Sequence, residues 1–177
     1  MKKMFAVLLA LCLLLGVSGA MAETVTTELM KMSDGLTIVL HHDDSVEISV
    51  LDHEVPEIGF WLIDDHVHAP VHLGICRSEI DSELSLADLS EEEQMQYATL
   101  YSFLFEDPII HLDTTPSGNL YLHICSNEAH EVDTILTLYK GTIVELIQHA
   151  LDDFGPLQEE DKAFCFDLLY GIEFVTE

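Results

Sequence analysis

The residues best suited to chemistry lie in one short segment, Asp64-Asp65-His66-Val67-His68, with His72 four residues further on. In an extended segment His66 and His68 point to the same side, about 7 Å apart along the chain, so both imidazoles could reach one metal ion. The aspartates could add an oxygen ligand or orient an imidazole. The sequence therefore predicts a metal site built from Asp64, Asp65, His66, His68 and His72.

Zinc fits this mixture of imidazole and carboxylate best, because calcium prefers oxygen ligands alone. No other cofactor is implied. A second candidate metal site is His41-His42-Asp43-Asp44, which we expect to form a polar connection after a strand. The alternative interpretation is that both segments are ordinary polar loops of an acidic protein. His123 is expected to pack beside Tyr121 in a strand and not to bind a ligand.

Sequence signatures of catalysis are missing from the chain. It contains no Gly-x-Ser-x-Gly elbow, no His-Glu-x-x-His helix, no glycine-rich phosphate loop and no EF-hand spacing. The many carboxylate pairs are best explained as solvated surface. The sequence thus favours a protein that is not an enzyme, and a hydrolase with an unrecognised site remains an alternative.

The first 22 residues have the pattern of a secretory signal peptide. Lys2 and Lys3 precede an apolar run over residues 5–17, and Ala20-Met21-Ala22 is a small-x-small cleavage motif. We expect cleavage before Glu23 and export from a bacterial-type cytoplasm, to the envelope or the medium. The apolar run is too short to cross a bilayer as a mature helix, so we expect no membrane insertion after cleavage.

The chain is strongly acidic, with 33 aspartates and glutamates against 6 lysines and arginines and a formal net charge of −27. Cleavage would remove two of those basic residues. Nucleic acids bind proteins through cations that meet phosphates, and an anionic membrane would repel this chain, so neither is expected as a partner. A basic protein would be attracted. The plainer interpretation is that acidic residues keep a secreted protein soluble.

Three cysteines would remain after cleavage, Cys76, Cys125 and Cys165, all in apolar segments. Export permits a disulfide, but the odd number leaves at least one thiol unpaired. Two interpretations stay open. The three cysteines are buried free thiols, or Cys76 and Cys125 form a bridge because their strands are neighbours.

The elements that must position these residues form one α+β domain over residues 23–177, in which an antiparallel sheet is flanked by two main helices. Turn signals and alternating apolar residues predict strands at 25–32, 36–40, 46–51, 58–63, 71–75, 109–112, 120–125, 132–139 and 172–175. The strand at 58–63 is apolar on both faces and is expected to be central and covered on both. Residues 142–151 fit a strand or a helix, and the preceding turn at Lys140-Gly141 favours a strand.

Two helices complete the domain. The first begins at Ser90 with a capping box to Glu93, and Tyr97, Leu100, Tyr101 and Leu104 recur at helical spacing on the face expected to be buried. The second covers residues 158–170 and ends before Gly171. Its expected inward residues are Phe164, Leu168 and Leu169.

This order of elements resembles the PsbP-like fold, shared by the extrinsic PsbP subunit of photosystem II and Ran-GTPase-binding nucleotide release factors. The likeness lies in the strand after Asp34-Gly35, the helix after Asp88-Leu89-Ser90, and a final hairpin, helix and strand. The tryptophan that often follows the first strand is replaced here by His41-His42-Asp43-Asp44. The resemblance implies a helix-flanked antiparallel sheet and a binding or assembly role, since the fold is mostly non-enzymatic. It carries over no functional residue.

These observations predict a secreted, non-catalytic α+β binding domain that engages another protein through its acidic surface. The first alternative is a divalent-metal-binding protein that uses the Asp64–His72 segment. A hydrolase is the second alternative.

Overall fold

In the computed structural model, the part of the chain that is described covers residues 25–31, 36–51, 58–64, 67–78, 83–102, 105, 107–126, 132–150 and 155–176. This part forms ten strands, two α-helices and a 3₁₀ turn at Leu86–Asp88. In chain order the elements are β1 Val25–Lys31, β2 Leu36–Asp43, β3 Glu47–Leu51, β4 Ile58–Ile63, β5 Val71–Arg77, α1 Glu91–Tyr101, β6 Pro108–Thr114, β7 Leu120–Ser126, β8 Val132–Tyr139, β9 Thr142–His149, α2 Glu159–Tyr170 and β10 Ile172–Thr176.

The strands form two antiparallel sheets, a three-stranded sheet in the order β1-β2-β10 and a seven-stranded sheet in the order β3-β4-β5-β9-β8-β7-β6. The predicted α+β architecture with two helices and an antiparallel sheet is therefore confirmed. Division of the strands between two sheets was not predicted. No helix of the described chain combines the length and apolar character needed to cross a membrane.

The β8–β9 hairpin resolves the ambiguity at residues 142–151 in favour of a strand over Thr142–His149, while residue 151 lies outside the described part of the chain. Tyr139 pairs with Thr142, and Lys140 and Gly141 between them both have positive φ angles, 47° and 74°. A two-residue turn of this kind matches the twist of the strands on either side. Both faces of the sheet are covered at β9, so this strand is apolar on both faces. For that reason its apolar residues also match a helical spacing.

A larger core lies between the two sheets and under α2. Its buried residues come from the three-stranded sheet, from the seven-stranded sheet and from α2, and include Ile38, Leu40, Leu62, Leu73, Leu146, Cys165 and Leu168. A smaller core lies on the opposite face of the seven-stranded sheet, under α1. It includes Leu86, Tyr97, Ala98, Leu122, Ile124, Leu136 and Leu138. The seven-stranded sheet is thus the middle layer of the protein.

Helix α1 begins as predicted, with the Ser90–Glu93 capping box in place, and Tyr97 and Tyr101 face the smaller core as predicted. Leu100 is 61% exposed, so its predicted inward orientation is wrong. The buried positions are Gln94, Tyr97 and Ala98, because the small Ala98 lets the helix approach the sheet and Gln94 Nε2 donates hydrogen bonds to two backbone carbonyls, of Leu86 and Leu89. Leu104 lies outside the described residues.

Strand β4 is not covered on both faces, which corrects the expectation for residues 58–63. Leu62 is fully buried on the side of the larger core, whereas Ile63 is 40% exposed and Trp61 is half-buried. The physical reason is the position of α1, which packs against β7 at the other end of the sheet. The Trp61 ring instead packs against His72 of the neighbouring strand, with ring centroids 5.2 Å apart.

Cys76, Cys125 and Cys165 are not joined by disulfides, so the interpretation as thiols is confirmed. Cys76 on β5 and Cys125 on β7 are separated by two strands, so the condition for a bridge, neighbouring strands, is not met. Cys165 on α2 is fully buried, and burial raises its pKa far above the usual range for a thiol. It behaves as a small apolar residue of the larger core.

Candidate functional site

A groove of about 600 Å³ opens between the end of β2, the loop after β4 and helix α2. Among the described residues that line this groove, four are carboxylates, two are histidines and none is lysine or arginine. We call it the acidic groove. Its lining residues are Val25, His41, His42, Asp43, Val46, Asp64, Val67, Glu160, Ala163, Phe164, Asp167 and Leu168.

The end of β2 supplies the histidines. The predicted polar connection at residues 41–44 is wrong in part, because β2 continues through Asp43 and pairs with Val25 of β1. Successive side chains of a strand point to opposite faces, so His41 and His42 are separated and do not converge on one ion. His41 Nδ1 lies 3.0 Å from Thr27 Oγ1, and His41 Nε2 lies 3.7 Å from a Glu173 carboxylate oxygen.

His42 faces the protein interior and is buried. Its Nδ1 lies 2.7 Å from the backbone oxygen of Asp43, and because a carbonyl oxygen can only accept, Nδ1 carries the proton. The other ring nitrogen, Nε2, is buried and has no hydrogen-bond partner within the described part of the chain. His42 therefore presents a hydrogen-bond acceptor that the fold leaves unsatisfied.

Ser45 links the two acidic residues on the strand side of the groove. Its hydroxyl donates to Asp64 Oδ2 at 2.7 Å, and its backbone N–H donates to Asp43 Oδ1 at 3.0 Å. The Ser45 backbone hydrogen bond is the largest cause of the lowered pKa of Asp43, although the nearby Asp64 charge opposes the change. Asp43 is therefore held in its charged form on this side of the groove.

A buried carboxylate on α2 positions the loop that forms another part of the groove. Asp161 is 1% exposed, and its Oδ1 accepts hydrogen bonds from the backbone N–H groups of His68 and Ala69, at 2.7 and 3.2 Å. Its Oδ2 accepts from the backbone N–H of Gln158 at 2.7 Å. Asp161 thus caps α2 and ties the helix to the β4–β5 loop.

The residues of the predicted metal site occupy different environments. Asp64 lies in the acidic groove, His68 is exposed, and His72 packs against Trp61 on the sheet face opposite the larger core. Among the described residues, none of these three belongs to a group of side chains spaced to hold a metal ion. Asp65 and His66 lie outside the described residues, so the site as a whole stays a prediction.

A different cluster was missed by the sequence analysis. His123 does pack against an aromatic ring, that of Phe166 at 5.1 Å, but its Nε2 also lies 3.6 Å from Asp133 Oδ1. Ligand atoms of His123, Cys125 and Asp133 all lie within 4.8 Å of one another. The two-residue spacing of His123 and Cys125 in a predicted strand was the available signal, because it places both on one face.

The side chains of this cluster are half-buried or buried. Asp133 is 3% exposed, and His123 Nε2 is buried without a hydrogen-bond partner in the described chain. Burial is the main cause that raises the pKa of Cys125; the Asp133 charge adds to this, and Lys162 on α2 opposes it. Cys125 is therefore a protonated thiol at neutral pH in the metal-free protein.

The chain matches no model of a protein family, and no curated protein sequence matches it. The PsbP-like resemblance accordingly stays a prediction.

Proposed function

We propose that this protein is a secreted, non-catalytic binding domain whose acidic groove engages a basic segment of another protein. The observation that carries the proposal is the lining of the groove, which combines four carboxylates with an apolar floor and, within the described chain, lacks lysine and arginine. The signal-peptide pattern at the N-terminus and the implied binding role of the PsbP-like layout are consistent with it.

The shape of the groove suits lysine and arginine side chains. Asp43 and Asp64 lie on its strand side and Glu160 and Asp167 on its helix side, while Phe164 and its apolar neighbours form the floor. Lysine and arginine have an apolar stem and a charged head, so the stem can lie on the floor while the head reaches a carboxylate. A volume of about 600 Å³ has room for a short peptide segment of a few side chains.

His42 adds a directional contact to this charge complementarity. Once the ring turns toward the groove, its unsatisfied Nε2 can accept a hydrogen bond from an N–H group of the bound segment. A buried acceptor without a partner is costly, and a ligand that supplies the missing donor removes that cost. Binding would therefore satisfy a group that folding alone leaves unpaired.

The energetics predict a salt-sensitive complex of moderate affinity. Exposed ion pairs contribute only about 0.2–1 kcal/mol each, so two or three of them change the dissociation constant by roughly two- to a hundredfold. The net charge of −27 attracts basic partners at long range and speeds their association. Both effects weaken as ionic strength rises.

The test is calorimetric titration with a synthetic peptide of alternating lysine and leucine. Replacing Asp64 and Asp167 together by asparagine removes one carboxylate from each side of the groove. We expect this variant to bind the peptide about tenfold more weakly at low salt. Glu91→Gln with Glu92→Gln is the matched control, because it makes the same charge change on the exposed first turn of α1.

Equal weakening in the groove variant and the control variant would show that the peptide responds to net charge alone, and the proposed site would be wrong. A second experiment is capture of partners from the envelope and medium of the producing cell. We expect a basic protein that elutes as salt increases. A partner retained at high salt would contradict the electrostatic basis of the proposal.

A further inference from the structure

We propose that His123, Cys125 and Asp133 form a binding site for a transition-metal ion of the zinc class. The site lies on the face of the seven-stranded sheet that α2 covers, and it shares no residue with the acidic groove. The inference is therefore independent of the proposed function, and either can fail without the other.

The strand register brings the three ligands together. His123 and Cys125 are two residues apart on β7 and so share a face of the sheet, and Asp133 on β8 is the pairing partner of Cys125. Directly opposite residues of antiparallel strands have Cβ atoms about 4.5–5.5 Å apart. The hydrogen-bonded ladder thus fixes all three attachment points before any ion arrives.

The distances fit an ion between the side chains better than they fit direct contacts. The 3.6 Å between His123 Nε2 and Asp133 Oδ1 is too long for a hydrogen bond. With the usual zinc bond lengths, two ligand atoms of a tetrahedral site lie about 3.3–3.7 Å apart. All ligand atoms of the cluster are within 4.8 Å of one another, so small rotations of side chains complete the geometry.

Burial of polar atoms in the cluster favours the binding of a cation. The Asp133 side chain is 4% exposed, and the facing His123 Nε2 is buried with no hydrogen-bond partner in the described residues. A buried polar atom without a partner is costly, and a cation between His123 Nε2 and the Asp133 carboxylate would give that nitrogen a partner.

The donor set selects the class of ion. One imidazole nitrogen, one thiolate sulfur and one carboxylate oxygen suit zinc, whereas calcium and magnesium prefer oxygen alone. Three protein ligands leave a fourth position for water. His111 on β6 pairs with His123, and their ring centroids lie 6.0 Å apart, so a second imidazole lies beside the cluster.

The test is titration of the chelator-treated protein with Zn²⁺ by calorimetry and with Co²⁺ by absorption spectroscopy. We expect one equivalent of metal per chain. We also expect a near-ultraviolet charge-transfer band with Co²⁺, because that band requires a thiolate ligand. Cys125→Ser should remove the band and weaken Zn²⁺ binding by more than about 100-fold, since even outer-shell partners of a metal change affinity by about 10–100-fold.

Two controls locate the metal. Cys76→Ser removes a thiol on the opposite face of the sheet and should leave both titrations unchanged. His66→Ala with His68→Ala removes two residues of the metal site predicted from the sequence and should also leave them unchanged. Absence of the charge-transfer band in the wild-type protein, or loss of binding only in the His66 and His68 variant, would overturn the inference. The wild-type spectrum decides the question even if a cluster variant fails to fold.

Discussion

A single buried carboxylate, Asp161, shows how one residue positions a candidate site. It accepts three backbone hydrogen bonds, two from the β4–β5 loop and one from Gln158 at the start of α2. Its spacing of three residues from Gln158 indicates a capping role that the sequence can predict. Its contacts with His68 and Ala69, in contrast, join residues more than 90 positions apart in the chain. No local pattern predicts a contact of that range.

We expect Asp161→Ala to lower the free energy of unfolding by about 3 kcal/mol, because it leaves the three N–H donors without their acceptor. Asp161→Asn keeps one oxygen and should cost about half as much. Urea denaturation measures both. Asp167→Ala, an exposed position of the same helix, is the control and should have little effect. Equal stability of the Asp161→Ala and Asp167→Ala variants would contradict the assigned role.

The raised pKa of Tyr121 predicts how the free energy of unfolding depends on pH. Burial raises its pKa to about 12, and its hydrogen bond with Tyr170 contributes to the increase. Above pH ~10 the unfolded chain loses this proton while the folded protein keeps it, so the stability should fall as the pH rises from about 10 to 12. Below pH ~10 the phenol is protonated in both the folded and the unfolded state, and its contribution to the free energy of unfolding is fully present.

Denaturation by urea at several alkaline pH values measures this effect. Tyr121→Phe should make the loss of stability with rising pH less steep, because the phenol that resists ionisation in the folded state is gone. Tyr139→Phe is the control for removal of one phenol elsewhere. If the Tyr121→Phe variant loses stability as steeply as the wild type, another group causes the alkaline dependence.

At the scale of elements, the close contact of the α2 C-terminus with β2 decides the shape of the acidic groove. The carbonyl oxygen of Gly171 accepts a hydrogen bond from the backbone N–H of His41 at 2.8 Å. Gly171 has φ −78°, which any residue can adopt. Glycine is needed here for another reason, since a Cβ atom would overlap the backbone carbonyl oxygen of His41.

Gly171→Ala should therefore destabilise the protein by about 3 kcal/mol or more, because backbone atoms on both sides cannot move aside cheaply. Gly74→Ala is the matched control on β5, where the nearest atom to an added Cβ is His72 Cε1 at an ordinary 3.6 Å. We expect the control to change stability by less than about 0.5 kcal/mol. Thermal unfolding followed by circular dichroism compares the two, and similar losses would refute the steric explanation.

At the scale of the whole molecule, the excess of acidic residues has two opposite consequences. A net charge of −27 makes the folded chain repel itself, and salt screens this repulsion. The free energy of unfolding in urea should therefore rise by about 1 kcal/mol or more between low and high NaCl concentration. Binding of a basic peptide in the groove should weaken over the same range.

The control for this prediction is sucrose, which stabilises folded proteins without screening charge. Sucrose should leave peptide binding nearly unchanged while it raises stability. If salt raised stability and binding together, hydrophobic contacts and not charges would govern the interaction with the peptide. Guanidinium chloride is unsuitable here because it is itself a salt.

Much of the fold follows from local patterns. Ser90 and Glu93 start α1, Lys140-Gly141 turns the last hairpin, and alternating apolar residues mark most strands. Predictions failed where burial depends on what another element covers. Leu100 and Ile63 are apolar and exposed because α1 packs through Ala98 and lies far from β4.

By itself, therefore, the sequence determined the element types, the antiparallel α+β class and the acidic character of the surface, because these depend on spacing and composition. Only the tertiary structure placed Asp133 opposite Cys125, and only it brought α2 beside the end of β2 to form the acidic groove. Strand register and helix docking decide these contacts, and spacing along the chain indicates only that His123 and Cys125 share a face of their strand. For that reason the complete set of ligands and the groove became visible only in three dimensions.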